Sequence, residues 1–287
     1  MLKFVSIVPI SPGIPAMKTR SFLAALAACL FVAPPAAFAK PGDGTLRLAT
    51  TTSTENSGLL KAILPRFESA SGLKVQVISV GTGKAMKLGE NGDVDVLLVH
   101  SRPDEDLFVA QGFGVNRRDV MYNDFILVGP KGDPARVRGG KDVIAALRAI
   151  LDKGATFVSR GDDSGTDKME KAYWKEVGRR PEGRQYLSAG QGMGEVLTMS
   201  DNLAAYTLSD RATYGAYRSR VGLDIVVEGD AKMFNPYGVI AVNPARYPDV
   251  NFKGARQFVE WLTGPEGRHA ISGFRVDGEQ LFFPTPQ

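Results

Sequence analysis

Thr45-Leu46-Arg47-Leu48-Ala49-Thr50 reads as a strand, and it runs straight into Thr51-Thr52-Ser53-Thr54, where a helical pattern begins. A cluster of hydroxyls thus stands at the carboxyl end of a strand and the start of a helix. In layered α/β folds that is where ligands sit. The same residues make good strand ends and helix caps, so the cluster alone fits capping as well as binding. Further along, Thr156-Phe157-Val158 leads in the same way into Ser159-Arg160-Gly161-Asp162-Asp163-Ser164-Gly165-Thr166 and a helix with Met169, Ala172 and Tyr173. Helix N-termini carry unsatisfied amide donors and the positive end of the dipole. Two such ends, one with a guanidinium, are expected to close on an oxyanion. Arg160 offers a fork of donors suited to a tetraoxyanion, and Asp162 or Asp163 is placed to hold it. The competing reading is an Asp–Arg surface pair in a turn.

A third strand-to-helix junction is Ser79-Val80-Gly81-Thr82-Gly83-Lys84-Ala85-Met86. The spacing of a nucleotide-binding P-loop fails at Ile78 and Ala85. Glycines that let amides approach an anion and a plain turn both remain open. Tyr206-Thr207-Leu208-Ser209-Asp210-Arg211 reads as another donor-rich turn, with Asp210 and Arg211 close enough to pair. His100 and His269 are the two histidines, and no Cys or acidic cluster has metal-ligand spacing. No metal and no cofactor is expected. A hydrolase with a Ser or Thr nucleophile would need a general base near Ser53 or Ser164, which no local motif supplies.

Met17-Lys18-Thr19-Arg20, the apolar run from Ser21 to Val32, Pro34-Pro35 and Ala37-Phe38-Ala39 have the order of a secretory signal cleaved before Lys40. Translation is expected to start at Met1 or Met17. Leu26-Ala27-Ala28-Cys29 also fits a lipoprotein signal, but cleavage there would leave Leu30-Phe31-Val32 exposed, so export without lipid is expected. The leader, 1–39, takes Lys3, Lys18 and Arg20 and no acid, so the formal net charge of +4 falls close to zero. No basic surface argues for nucleic acid. Cys29 is the one cysteine, which leaves the mature chain without disulfide or thiol chemistry.

Apolar runs at 45–50, 74–80, 94–99, 124–128, 156–159, 223–227 and 239–243 alternate with helical stripes such as Leu59, Leu60, Ile63, Leu64 and Phe67. That order predicts α/β layers with largely parallel sheets. The stretches 120–128 and 234–242 look alike, each passing from polar turn residues into an extended run. As two crossings they divide the chain into one lobe, 40–123 plus 236–287, and a second, 124–235. A double crossing gives a hinge and a ligand cleft.

In order along the chain, TTTSTENSGLL at 50–60, VGTGKAM at 80–86, GDVDVLLVHSR at 92–102, VMYNDFILVGP at 120–130, FVSRGDDSGTDKME at 157–170, GQGMG at 190–194, AYTLSDRATY at 205–214 and VEGDAKMFNPYGVIAVNP at 227–244 resemble the periplasmic tungstate-binding proteins of ABC transporters, the TupA-like family. The resemblance implies a type II periplasmic-binding-protein fold, two α/β lobes with the anion between them. It implies tungstate, with molybdate of nearly the same shape, as ligand, a membrane permease and ATPase as partners, a periplasmic location and a monomer. By position, Thr51, Thr52 and Ser53 with Thr82 would hold the anion from the first lobe. Arg160, Ser164, Gly165 and Thr166 would hold it from the second. The R-x-D-x-S-G-T pattern is similar to one in phosphate-binding proteins, so by itself it says oxyanion. Asp167 stands where the family commonly has histidine: facing the cleft it would oppose a dianion, and turned outward it would be harmless.

Overall fold

The computed structural model describes residues 44–286. The expected leader, 1–39, and Cys29 lie outside the described residues. Among the described residues no helix is long and apolar enough to cross a membrane.

The chain opens with β1 (Thr45–Thr51), α1 (Thr52–Asn56), α2 (Leu59–Ser71), β2 (Lys74–Val80), α3 (Thr82–Asn91), β3 (Val96–Val99) and α4 (Arg102–Ala110). A long strand, β4 (Gly114–Gly129), leads to α5 (Val143–Asp152), β5 (Phe157–Ser159), α6 (Gly165–Val177), β6 (Tyr186–Ser188), α7 (Met193–Asn202), β7 (Thr207–Asp210), α8 (Arg211–Tyr217) and β8 (Asp224–Val227). The return strand β9 (Phe234–Val242) is followed by α9 (Phe252–Thr263), α10 (Pro265–Gly273) and three short strands, β10 (Arg275–Val276), β11 (Glu279–Gln280) and β12 (Phe283–Pro284).

The main sheet runs β12-β4-β9-β3-β1-β2, with β7 and β8 also on β4. Period-2 alternation explains how it is covered. Val96 and Leu98 face a cluster with Phe67 of α2, Phe258 of α9 and Ile271 of α10, whereas Leu97 and Val99 face Ala85 and Met86 of α3 and Phe108 of α4. The far half of β4 does the same for a second pair of clusters. Phe125 and Leu127 pack with Leu147 of α5 and Trp174 of α6, and Ile126 and Val128 with Val196 of α7 and Tyr214 of α8. β4 therefore serves a first core with one half and a second core with the other.

The expectation of largely parallel sheets is corrected. β1 pairs parallel with β2 and β3, and β5 with β6, but β3–β9, β4–β9, β4–β7, β4–β8 and β4–β12 are antiparallel. The cause is geometric: a chain that leaves the first core on β4 and returns on β9 must run the two strands in opposite directions. Their pairing extends from Gly114↔Val242 to Asp124↔Phe234. The expected pairing of Asp210 with Arg211 does not form either. Asp210 caps α8 by accepting from Thr213 N at 2.8 Å, and Arg211 holds Asp124 with two bonds of 2.6 Å.

Within the second core Glu170 is buried and accepts from Trp174 Nε1 at 3.0 Å and Tyr186 Oη at 2.7 Å. Burial raises its carboxyl to about 7, against the opposing pull of these neutral donors. Below the unfolded value of 4.5 both states hold the proton; above it, the unfolded chain releases the proton while the fold retains it up to about 7. Stability from this group is therefore present at low pH and lost as pH rises through that window. Glu170→Gln, which keeps the acceptor, is expected to shrink the fall in melting temperature between about pH 5 and 8. An equal fall in both proteins would refute the assignment.

Candidate functional site

β1 ends at Thr51, whose hydroxyl caps α1 by accepting from Thr54 N at 3.3 Å. Its Oγ1 lies 3.1 Å from Ser53 Oγ and 2.7 Å from Thr54 Oγ1, and all three side chains are buried. Three hydroxyls thus form a compact cluster at one helix N-terminus. Behind them stands His100, just past β3. Its Nε2 is 3.2 Å from both Ser53 Oγ and Thr51 Oγ1, and its Nδ1 is 3.0 Å from the side-chain amide of Asn235 on β9. The ring stacks on Tyr237 with centroids 4.8 Å apart. Burial lowers its pKa to about 4, helped by the charge of Arg160, so the ring is neutral at ordinary pH.

Facing this cluster is the turn between β5 and α6. Gly161 and Asp163 both adopt left-handed backbone, φ 60° and 59°, which Gly and Asp tolerate. Asp167 is fully buried rather than turned outward or into open space. Its carboxylate accepts from Gly161 N at 3.1 Å and Asp163 N at 3.2 Å and pairs with Lys171 at 2.6 Å. The chain's own carboxylate thus fills a concavity of amides that could otherwise hold an anion. It fixes the loop that carries Arg160.

Arg160 is 1% exposed, an unusual state for a guanidinium. Its Nη2 donates to Asp162 Oδ2 at 2.5 Å and to Thr52 Oγ1 at 2.9 Å. Among the described residues its Nε and Nη1 are buried without a partner, as is Thr166 Oγ1. Donors so placed cost about 1–3 kcal/mol each when unmet, so their arrangement fits a group that accepts hydrogen bonds. Asp210, buried and with its pKa raised by burial, also keeps Oδ2 unpartnered in the field of Arg160.

The two cores meet around these residues. Gly165 N donates to Thr82 Oγ1 at 2.9 Å, Thr213 Oγ1 to the Ser53 carbonyl at 3.1 Å, and Gly83 N to the Asp163 carbonyl at 3.3 Å. At the rim Lys168 pairs with Asp104 at 2.6 Å. A Cβ on Gly81 would come within 2.8 Å of the Asp162 carbonyl oxygen, and one on Gly165 within 3.0 Å of the His100 carbonyl. Both are backbone contacts that cannot swing aside. The glycine turn at 81–83 therefore serves close approach of one core to the other, and the Gly83 amide is turned to Asp163.

Comparison with known proteins adds a family to this geometry. Residues 37–266 match the family described as PBP superfamily domain. The tungstate-binding protein TupA of Peptoclostridium acidaminophilum is 49% identical over 246 residues, 84% of this chain and 86% of that protein. This chain belongs to the PBP superfamily and to the family of TupA. The solved structure of the tungstate ABC transporter from Geobacter sulfurreducens is 53% identical, with a TM-score of 0.74 over 80% of this chain and 98% of that one. Tungstate-binding protein TupA from Desulfovibrio alaskensis G20 is 44% identical, with a TM-score of 0.71 over 85% of this chain and 99% of that one.

Of the residues that sequence suggested for this PBP, Thr51, Thr52 and Ser53 gather at α1, and Arg160 reaches Thr52. Ser164 and Gly165 stand at the head of α6 beside Thr166. The Ser164 hydroxyl caps that helix by accepting from Asp167 N at 3.2 Å, and the Thr82 hydroxyl accepts from Gly165. Sequence reasoning did not place His100, Asn235 or Thr213 at the site. His100 follows GDVDVLLV directly, so its place at a strand's carboxyl end was the usable signal. Ser53, His100 and Asn235 line up as a nucleophile, base and amide would. A ring with a pKa of about 4 is a weak base, however, and an amide cannot stabilise an imidazolium as a carboxylate does.

Proposed function

We propose that this chain captures tungstate outside the cytoplasm and delivers it to the membrane permease and ATPase of an ABC transporter. The observation that carries the reading is Arg160, a buried guanidinium with two unpartnered nitrogens beside the unpartnered hydroxyl of Thr166. Tungstate at neutral pH is a tetrahedral dianion that only accepts hydrogen bonds. Thr51, Thr52, Ser53 and Thr82 on one side, and Arg160, Ser164 and Thr166 on the other, form its donor set, with Gly165, whose amide is held by the Thr82 hydroxyl, at the seam between them. The chain on either side of β4 and β9 forms two lobes, 40–123 plus 236–287 and 124–235, that close on the ion. The named relatives support tungstate over phosphate, and the protein acts in the periplasm as a monomer that binds and catalyses nothing.

Isothermal titration of the mature protein with tungstate, molybdate, sulfate and phosphate tests this. Tungstate at 100-fold above its dissociation constant is expected to stabilise the fold by about 2.7 kcal/mol. An unchanged melting temperature at millimolar tungstate would sink the reading, and a shift with phosphate alone would move the ligand to a protonated oxyanion. Closure has its own test. Gly81 has φ −67°, which alanine adopts freely, so Gly81→Ala should fold normally yet keep the cores apart. Its tungstate affinity should fall about tenfold, the cost of a small overpacking. Wild-type affinity in that variant would show that the contact with Asp162 plays no part in binding.

A further inference from the structure

The hydroxyl cluster at α1 raises a question of proton direction. A hydroxyl has a single proton, and Thr51, Ser53 and Thr54 can give theirs to an anion, to each other or to His100. If His100 Nε2 accepts, one of the three protons is drawn onto the ring. If Nε2 carries the proton and donates, all three remain for the cluster and its ligand. The answer depends on the amides behind the ring, whose oxygen and nitrogen are assigned by the hydrogen bonds they make.

With Asn235 Oδ1 toward His100 Nδ1, Asn235 Nδ2 donates to Asn123 Oδ1 at 2.7 Å and to Tyr237 Oη at 3.3 Å. Two buried donors then lack acceptors. Among the described residues Asn123 Nδ2 has no partner, and the Tyr237 hydroxyl receives a bond while its own proton finds no acceptor. Unmet buried donors are costly, and rarer in proteins than carbonyl oxygens left short of a bond. Turning both carboxamides over leaves every heavy-atom distance in place and repairs both faults. Asn123 Nδ2 and Tyr237 Oη then donate to Asn235 Oδ1, while Asn235 Nδ2 donates to His100 Nδ1.

We propose that Tyr237, Asn123, Asn235 and His100 form a one-way donor relay that holds His100 as the Nε2–H tautomer and turns the Thr51 and Ser53 hydroxyl protons toward the bound anion. These are positioning residues, and the inference rests on the reading of the cluster as part of an oxyanion site. It makes the site selective for ligands that only accept, since the relay fixes which way each hydroxyl points.

Nitrogen NMR of the 15N-histidine-labelled protein reads the tautomer directly, because the chain has two histidines and His269→Gln identifies the signals of the other. The expected result is a protonated Nε2 and an unprotonated Nδ1 in His100, with and without tungstate. A proton on Nδ1 overturns the proposal. Asn235→Asp supplies the second arm, because a carboxylate can only accept and so must draw the ring proton to Nδ1. That variant, folded by circular dichroism, should show a protonated Nδ1 and bind tungstate about tenfold more weakly. An Nε2–H signal that persists in the variant would mean that residue 235 does not set the tautomer, which also overturns the relay. If wild-type protein shows the Nε2–H tautomer but no tungstate binding by titration, the functional reading fails and the relay stands.

Discussion

Arg160→Ala should lower tungstate affinity more than a hundredfold. Hydrogen bonds to charged groups are worth about 1.5–3 kcal/mol each, and the unpartnered Nε and Nη1 of Arg160 can make two. A loss of about 3 kcal/mol or more corresponds to that factor. The structure deepens the expectation, because Asp162 leans on Arg160 at 2.5 Å. Without its partner that carboxylate would oppose a dianion. Arg160→Lys should recover part of the loss, since a point charge lacks the planar fork. Thr166→Val should cost less, because one neutral donor goes while its neighbours stay. Titration calorimetry on the three variants checks the order, and wild-type affinity in Arg160→Ala would refute the placement of the site's charge.

Arg47→Met should cost about 3–5 kcal/mol of folding stability. Arg47 sits on β1 and is 9% exposed; its partner Asp95 is 1% exposed. The carboxylate accepts from Arg47 N at 2.7 Å, Nε at 3.2 Å and Nη2 at 2.6 Å, and from Asn251 N at 2.9 Å. It thereby ties β1 to the approach of β3 and to the cap of α9. Removing the guanidinium strands a buried charge, which costs far more than the pair contributed. Pairing the change with Asp95→Leu should return most of the loss, because two apolar groups can replace a buried pair almost neutrally. Urea unfolding of the single and double variants measures it, and a double variant as unstable as the single one would refute the mechanism.

How much of this was legible in the chain follows from where the signal lies. β2 and β3 are runs rich in Val, Leu and Ile, and β1 alternates Leu46 and Leu48 with polar residues, so their pattern is local. The near half of β4 was not legible, because Asn116-Arg117-Arg118-Asp119 looks like a loop until β9 is known to lie beside it. Thr207–Asp210 reads as a turn by composition, yet it is a fully buried strand paired with Phe125 to Val128. At the site, Arg160 and the hydroxyls of α1 stood out because strand end and helix start are adjacent in sequence. His100 and Asn235 did not, since 135 positions separate them and only the fold brings an imidazole onto an amide. Asp167 was visible but ambiguous, and its burial against Gly161 and Asp163 depends on a turn that composition does not specify.

The rim pair of Lys168 and Asp104 has a kinetic meaning. Both side chains are about one-third exposed, 32% and 29%, so water and salt reach them. Exposed pairs of this kind are worth about 0.2–1 kcal/mol and weaken as the Debye length shrinks from about 10 Å at 0.1 M salt to about 3 Å at 1 M. Under the proposed capture by closure, a latch of that size would leave capture nearly unaffected and lengthen the dwell time of the captive ion by up to about fivefold. The grip is then expected to loosen in brine and tighten in fresh water, so that the outside medium would set the pace of unloading.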